Sequence, residues 1–297
     1  METIKHIHHI SAIVGDAQEN LDFYRDVLQL RLVKKTLNFD DPSVYHLYFA
    51  NQAADPGTLI TFFPWENHFP GQVGSGQGGP ILFSIPLGSL LFWQERLENF
   101  QVPFVTKDLF GTRALFFQDR HQLELALVEN TDGTSQTAAI LGFHGLFLHS
   151  HDFEASYQFM KGVLGLVDTF ENEDYYVLET IGPQAHTIYL PKRNETRGHI
   201  GPGTVHHIAW NVSDLESLKA YQSYLNQANF NVTTIRNRKY FKSIYFREPG
   251  KVIFELATQG PGLTIDEPEE QLGKGLLIPP IYEKRREELL KQLKPLH

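Results

Sequence analysis

Apolar and polar residues alternate with a period of two over 7–14 (IHHISAIV) and again over 205–212 (VHHIAWNV). Each run leads to an aspartate and then to apolar residues spaced three and four apart: Leu21, Tyr24 and Leu28 after Asp16, and Leu218, Tyr221 and Leu225 after Asp214. Period two is the signature of a half-buried strand. The second spacing puts one apolar stripe on a helix, and an aspartate before it can accept the orphan N–H groups of the first turn. The second helix is predicted over 215–228. Short β-rich runs follow at 32–37, 44–50 and 58–63 in the first case and at 240–247 and 252–258 in the second, set apart by Asp-Asp-Pro at 40–42, Asp-Pro-Gly at 55–57 and Glu-Pro-Gly at 248–250.

The chain therefore repeats itself. HHISAIVGD at 8–16 returns as HHIAWNVSD at 206–214, an offset of 198, and as HGLFLHSHD at 144–152, an offset of 136. FYRDVLQL at 23–30 matches FMKGVLGL at 159–166 with that second offset. A more degraded copy begins near Pro80, with a strand in PILFSIPL and a helix over 89–100. Internal repeats decide the architecture before any element does. They predict an α+β protein of four βαβββ modules that pair into two open, barrel-like sheets, because one module alone leaves an apolar sheet face uncovered. By order along the chain the modules group as 1–136 and 137–262, with 263–297 as a capping segment ending in a charged helix over 280–293.

The composition permits a large core, with 41% hydrophobic residues among 297, and a net charge of −9 offers no basic stripe for nucleic acid. The absence of cysteine excludes thiolate nucleophiles, disulfides and thiolate metal sites. No apolar run approaches the ~20 residues of a membrane helix, so the expectation is a cytoplasmic protein without a membrane partner. A homo-oligomer is left open.

Histidine is the informative residue, with fourteen in the chain. His6, His8 and His9 crowd the start but alternate with Ile7 and Ile10, which reads as strand and not as an expression tag. His9 and His207 hold the same position in two modules, so pairing those modules brings the two imidazoles face to face. Alternation in VIFELAT puts Glu255 opposite Phe254 and Leu256, and an inward carboxylate in an apolar strand is costly unless paired or metal-bound. Any one of the three is more often a structural residue than a ligand; together they form a two-histidine, one-carboxylate set suited to Fe(II) or Mn(II), with open positions for a substrate and dioxygen. Glu124, in LELALVE, lacks such partners, and His144 aligns with His8, not His9, so the other barrel is expected to carry no metal.

HHIS at 8–11, PGTLITFFP at 56–64, VHHIAW at 205–210, RNRKYFKSIYFREPGKVIFELAT at 236–258, DEP at 266–268 and LIPP at 277–280 resemble the ring-cleaving dioxygenases that open hydroquinones, within the vicinal oxygen chelate superfamily of glyoxalases, bleomycin-resistance proteins and extradiol dioxygenases. The resemblance spans nearly the whole chain. It implies Fe(II) held by His9, His207 and Glu255, a small aromatic substrate with dioxygen, and surrounding roles for His8, Ser11, His206, Arg238 and Tyr245. Ser11 stands where chlorohydroquinone-cleaving members are expected to carry threonine. The residue chemistry agrees: Arg238 can hold an ionised phenolic oxygen, Tyr245 can donate to the same anion, and His206, expected to titrate near neutrality, can move the phenolic proton. Strand parity objects that His8 and His206, next to the ligands, should point away unless a bulge intervenes.

Two other readings share the fold: a glyoxalase-like isomerase on zinc or nickel, which needs a fourth protein ligand that TLITFFP at 58–64 does not offer, and a non-catalytic protein sequestering an aromatic or antibiotic-like molecule. Gly74, Gly76 and Gly79 satisfy GxGxxG, but a β-rich run follows where a nucleotide loop would open a helix. The mixed charges at 283–288 read as a solvated helix face.

Overall fold

Aspartate caps open three of the four module helices at the positions set by the repeat. Asp16 accepts from the N–H groups of Gln18 and Glu19, Asp152 from that of Ala155, and Asp214 from that of Ser217. The computed structural model describes residues 1–130 and 137–297. The first module contains β1 (Ile7–Val14), α1 (Ala17–Asp22), β2 (Arg31–Leu37), β3 (Tyr45–Ala50) and β4 (Leu59–Pro64). The second contains β5 (Gln77–Pro86), α2 (Leu90–Asn99), β6 (Phe104–Leu109), β7 (Thr112–Gln118) and β8 (Glu124–Asn130). The third contains β9 (Gly142–His149), α3 (Phe153–Phe159), β10 (Val167–Glu171), β11 (Tyr175–Glu179) and β12 (Thr187–Pro191). The fourth contains β13 (Thr204–Val212), α4 (Leu215–Gln227), β14 (Arg236–Asn237), β15 (Lys242–Arg247) and β16 (Ile253–Thr258). Four βαβββ modules are thus present. The matched octapeptides at 23–30 and 159–166 both contain a π-helical turn, Phe23–Val27 and Met160–Leu164.

The modules combine into two mixed sheets. The first and fourth, with β17 (Leu276–Leu277) from the segment after them, form a nine-stranded sheet in the order β14-β15-β16-β13-β1-β4-β3-β2-β17, and the second and third an eight-stranded sheet, β10-β11-β12-β9-β5-β8-β7-β6. Each sheet therefore draws one module from 1–136 and one from 137–262; the division between those ranges falls at the edge of the segment outside the described residues. Antiparallel pairing of β1 with β13 joins the modules of the larger sheet. One face of that sheet, with Ile10, Ile60, Phe62, Ile208, Trp210, Phe254 and Leu256, packs under the helices in the main core. Full burial of each such side chain contributes about 2 kcal/mol. Period two then sends His9, Ser11, Thr61, Tyr48, His207, Glu255 and Tyr245 to the opposite, curved face.

Two elements differ from the sequence reading. The helix expected over 280–293 divides into a 3-10 turn (Pro280–Arg285) and α5 (Arg286–Gln292), the break falling at Arg285, whose φ of −107° and ψ of 12° lie off the α-helical values. The strand expected from 240 starts at Lys242. Before it Lys239 takes a left-handed φ of 67°, and the Arg238 N–H donates to the Phe241 carbonyl in a tight turn. That turn releases Tyr240 and Phe241 towards the curved face.

The segment after β16 closes the open edge. Its short strand β17 (Leu276–Leu277) lies parallel to β2. Lys34, on β2 and wholly buried, donates to Asp266 Oδ1 at 2.6 Å and Glu267 Oε2 at 2.5 Å. Breaking the pair leaves the buried Glu267 carboxylate without its cation, while Asp266 keeps Lys239. Lys34→Ala is therefore expected to lower the free energy of unfolding by about 3 kcal/mol, read from the midpoint of a urea titration. No described helix is long and apolar enough to cross a membrane.

Candidate metal centre

The register of β1 on β13 builds the centre. Pairing steps from Ile7↔Trp210 to His9↔Ala209, so β1 carries one extra residue there, His8; it steps again from Ser11↔His207 to Ala12↔Val205, so β13 carries one extra residue, His206. These are β-bulges related by the pseudo-two-fold axis between the strands. They answer the parity objection, since each turns its histidine to the side of the neighbouring ligand.

His9, His207 and Glu255 are 3%, 3% and 0% exposed. Nε2 of His9 and Nε2 of His207 stand 3.2 Å apart, and they approach Glu255 Oε2 to 3.1 and 2.9 Å. Yet no donor is properly aimed at either carboxylate oxygen of Glu255. Three electron-rich atoms converge with nothing between them to justify the approach. A divalent cation does justify it: ligands bound at about 2.1 Å in adjacent octahedral positions lie about 3 Å from one another. Among the described residues this is the one cluster of three such side chains close enough to share an ion. Burial works against ionisation of Glu255, but the two imidazoles hold its carboxyl well below the usual range, so it is a carboxylate at neutral pH. Burial lowers the pKa of His207, against the pull of Glu255, leaving the neutral ring that metal binding requires.

The bulged histidines hold the remaining ring nitrogens. His8 Nδ1 lies 2.8 Å from His9 Nδ1, and His206 Nδ1 lies 2.7 Å from His207 Nδ1. If Nε2 of each ligand carries metal, its Nδ1–H donates to the neighbour, which fixes the ring and raises its basicity. The tautomers follow from this inference and not from observed hydrogens. Burial pushes His8 and His206 down to about 3. The expectation that His206 titrates near neutrality is therefore corrected: a ring removed from water among other imidazoles resists a second proton. The two then differ. His8 lines a cavity of about 320 Å³ with His6, Tyr240 and Phe241, whereas His206 lines one of about 740 Å³ with Phe63, Tyr45, Asp40 and residues 292–296.

Arg238 Nε donates to Tyr245 OH at 3.3 Å, and the Tyr245 ring meets His207 edge-on at 5.6 Å. Burial and Glu255 raise the Tyr245 phenol, keeping it a proton donor. Ser11 Oγ is 2.7 Å from Thr61 Oγ1.

Sequence reasoning missed the other half of this face. Thr61 Oγ1 is also 3.0 Å from His46 Nε2, and the Tyr48 hydroxyl is 2.8 Å from His46 Nδ1. The alternation of His46 and Tyr48 in β3 was the available signal. Phe63 packs 4.4 Å from His46 and 6.3 Å from His207, and Phe241 lies 5.2 Å from His9, so the centre is walled by aromatic rings. A cavity of about 970 Å³ lies elsewhere, against the eight-stranded sheet, and is lined by none of these residues. There His144 is in hydrogen-bond contact with Tyr189 OH at 2.8 Å.

Comparison with known proteins agrees with the geometry. The family model for the Glyoxalase/Bleomycin resistance protein/Dioxygenase superfamily matches residues 6–149 and 142–256. The Bacillus subtilis protein named "Putative ring-cleaving dioxygenase MhqO" is 42% identical over 97% of this chain and 96% of its own. The chlorohydroquinone/hydroquinone 1,2-dioxygenase of Sphingobium indicum is 32% identical over 98% of this chain and 97% of its own. A solved Bacillus subtilis structure, 41% identical, superposes with a TM-score of 0.96 over 100% of this chain and 99% of the other.

Proposed function

This chain belongs to the glyoxalase/bleomycin resistance protein/dioxygenase superfamily, and from that premise we propose that it is a ring-cleaving dioxygenase opening a hydroquinone-type aromatic with Fe(II) and dioxygen. The observation that carries the reading is a donor set of two imidazoles and one carboxylate, all mutually adjacent, on a face where Thr61 stands in place of a fourth ligand. When bound, the ion supplies Lewis acidity and a path for electrons between an ionised aromatic diol and dioxygen.

The chain's own groups do the rest. Phe63 and Phe241 flank the centre and offer ring faces and edges to a flat aromatic while excluding water. His8, 2.8 Å from His9 through the two Nδ1 atoms, positions His9. His206 has its Nδ1 occupied by His207, so its remaining Nε2–H is a donor. It steadies an ionised substrate oxygen by donating that hydrogen bond. Arg238 and Tyr245 add a fixed cation and a protonated phenol on the side of His207, where negative charge on oxygen develops. Ser11 orients Thr61.

The test is oxygen uptake by protein purified anaerobically and reloaded with Fe(II), using methylhydroquinone, chlorohydroquinone and catechol. One dioxygen consumed per ring opened is expected with the hydroquinones. Reloading with Mn(II) in parallel distinguishes the two metals. The reading falls if metal binds and no ring is opened.

A further inference from the structure

The curved sheet is closed across its open side by two rungs of different character. The inner rung is buried: Lys34, Asp266 and Glu267, with the Tyr240 hydroxyl 3.2 Å from Asp266 Oδ2. The outer rung is one ion pair. Arg238, beside β14 at one edge, reaches the carboxylate of Asp40, on the loop after β2 at the other, with Nη2–Oδ2 at 2.9 Å and Nη1–Oδ1 at 3.3 Å.

The partners are unequal. The Arg238 side chain is 16% exposed and is also held by Tyr245 and by the Phe39 ring, 5.9 Å away. Asp40 is 72% exposed. A pair so open to water is worth about 0–1 kcal/mol, so Asp40 can leave cheaply while Arg238 stays. Asp40 also lines the 740 Å³ cavity that reaches His206 and Phe63, together with Asp16, Asp41 and Glu66. The cation on that lining, Lys294, is already committed to Glu66 at 2.5 Å. The cavity beside His206 is therefore lined by acid, and the two Nη groups of Arg238 are taken up by Asp40 while its Nε stays on Tyr245.

We propose that Asp40 is a specificity-determining residue that admits rings without an anionic substituent and turns away those carrying a carboxylate. A neutral hydroquinone meets no repulsion at the mouth. A carboxylated ring meets a lining whose acids outnumber their cations, Asp16 and Asp41 being in excess, and finds its natural partner, Arg238, occupied. This is discrimination by an unfavourable charge placed against the wrong ligand. The inference rests on the ring-cleavage reading for the identity of the neutral substrate.

The probes are methylhydroquinone and 2,5-dihydroxybenzoate, bound anaerobically to the Fe(II)-loaded protein and followed by calorimetry, so that no turnover is needed. The wild type is expected to favour methylhydroquinone. Asp40→Asn is expected to shift the ratio of the two affinities towards the carboxylated ring by about tenfold, the scale of one charge-assisted hydrogen bond, and Asp40→Glu to restore the wild-type ratio. A ratio unchanged within twofold in Asp40→Asn, or a wild type that binds both probes equally, overturns the assignment. Admitting oxygen afterwards separates this from the activity. If the ratio shifts but no ring opens, the ring-cleavage reading fails and the role of Asp40 stands; if rings open and the ratio does not move, the reverse holds.

Discussion

Glu255→Gln is expected to empty the metal centre, lowering bound metal to less than about a tenth of the protein and ring cleavage by at least about 10³-fold. The amide keeps the shape of the side chain but not its charge, and that charge is the only one among the three donors. Two neutral imidazoles and a neutral oxygen attract a hard divalent cation far less than the native set does. The protein itself should still fold. Glutamine is neutral and has the shape of Glu255, so the fully buried site is filled without adding a charge. Metal analysis after anaerobic reloading, with a thermal melt on the same sample, reads both effects. Near-stoichiometric metal in a folded Glu255→Gln protein would remove the centre from the account.

Thr61→Glu should do the opposite to the metal and still harm the reaction. In the register of the larger sheet His9 faces Ala209 and Ser11 faces His207, so Ser11 and Ala209 are equivalent about the axis between β1 and β13. Ser11 neighbours Thr61 on β4 as Ala209 neighbours Glu255 on β16. Thr61 is therefore the symmetry mate of Glu255, and Tyr48, opposite Thr61, is the mate of Tyr245, opposite Glu255. A glutamate at 61 places a second carboxylate where a fourth protein ligand belongs. Affinity for Zn(II) is expected to rise and oxygen uptake with hydroquinones to fall by about 10²-fold or more, because positions needed by substrate and dioxygen are taken. Without metal the two facing carboxylates should destabilise the fold by several kcal/mol, so chelation should lower the melting temperature far more than in wild type. Thr61→Glu protein that binds metal yet opens rings at the native rate would refute the equivalence.

The legible part of the site lay in the histidine doublets and in the parity of VIFELAT. His9, His207 and Glu255 announce themselves because an ionisable side chain inside an apolar strand has few tolerable explanations, and the repeat gives the two histidines the same strand position. His46, Tyr48 and Thr61 did not, since tyrosine and threonine are ordinary strand residues and their meaning comes from what they face. Phe241 was read inside a strand because its turn depends on a left-handed Lys239, which period-two patterning does not register. Asp40 looked like one acid of a turn; its partner lies 198 positions away and at the far edge of the sheet.

Local chemistry written along the chain thus determined the modules, their helix caps and the inventory of ligands, because periodicity and capping act over a few residues. Which modules share a sheet, which residues become the bulges that turn His8 and His206 to the metal side, and which acid meets Arg238 were decided only by folding. Those features are contacts between segments up to about two hundred residues apart, and their energies exist only once the strands are in register.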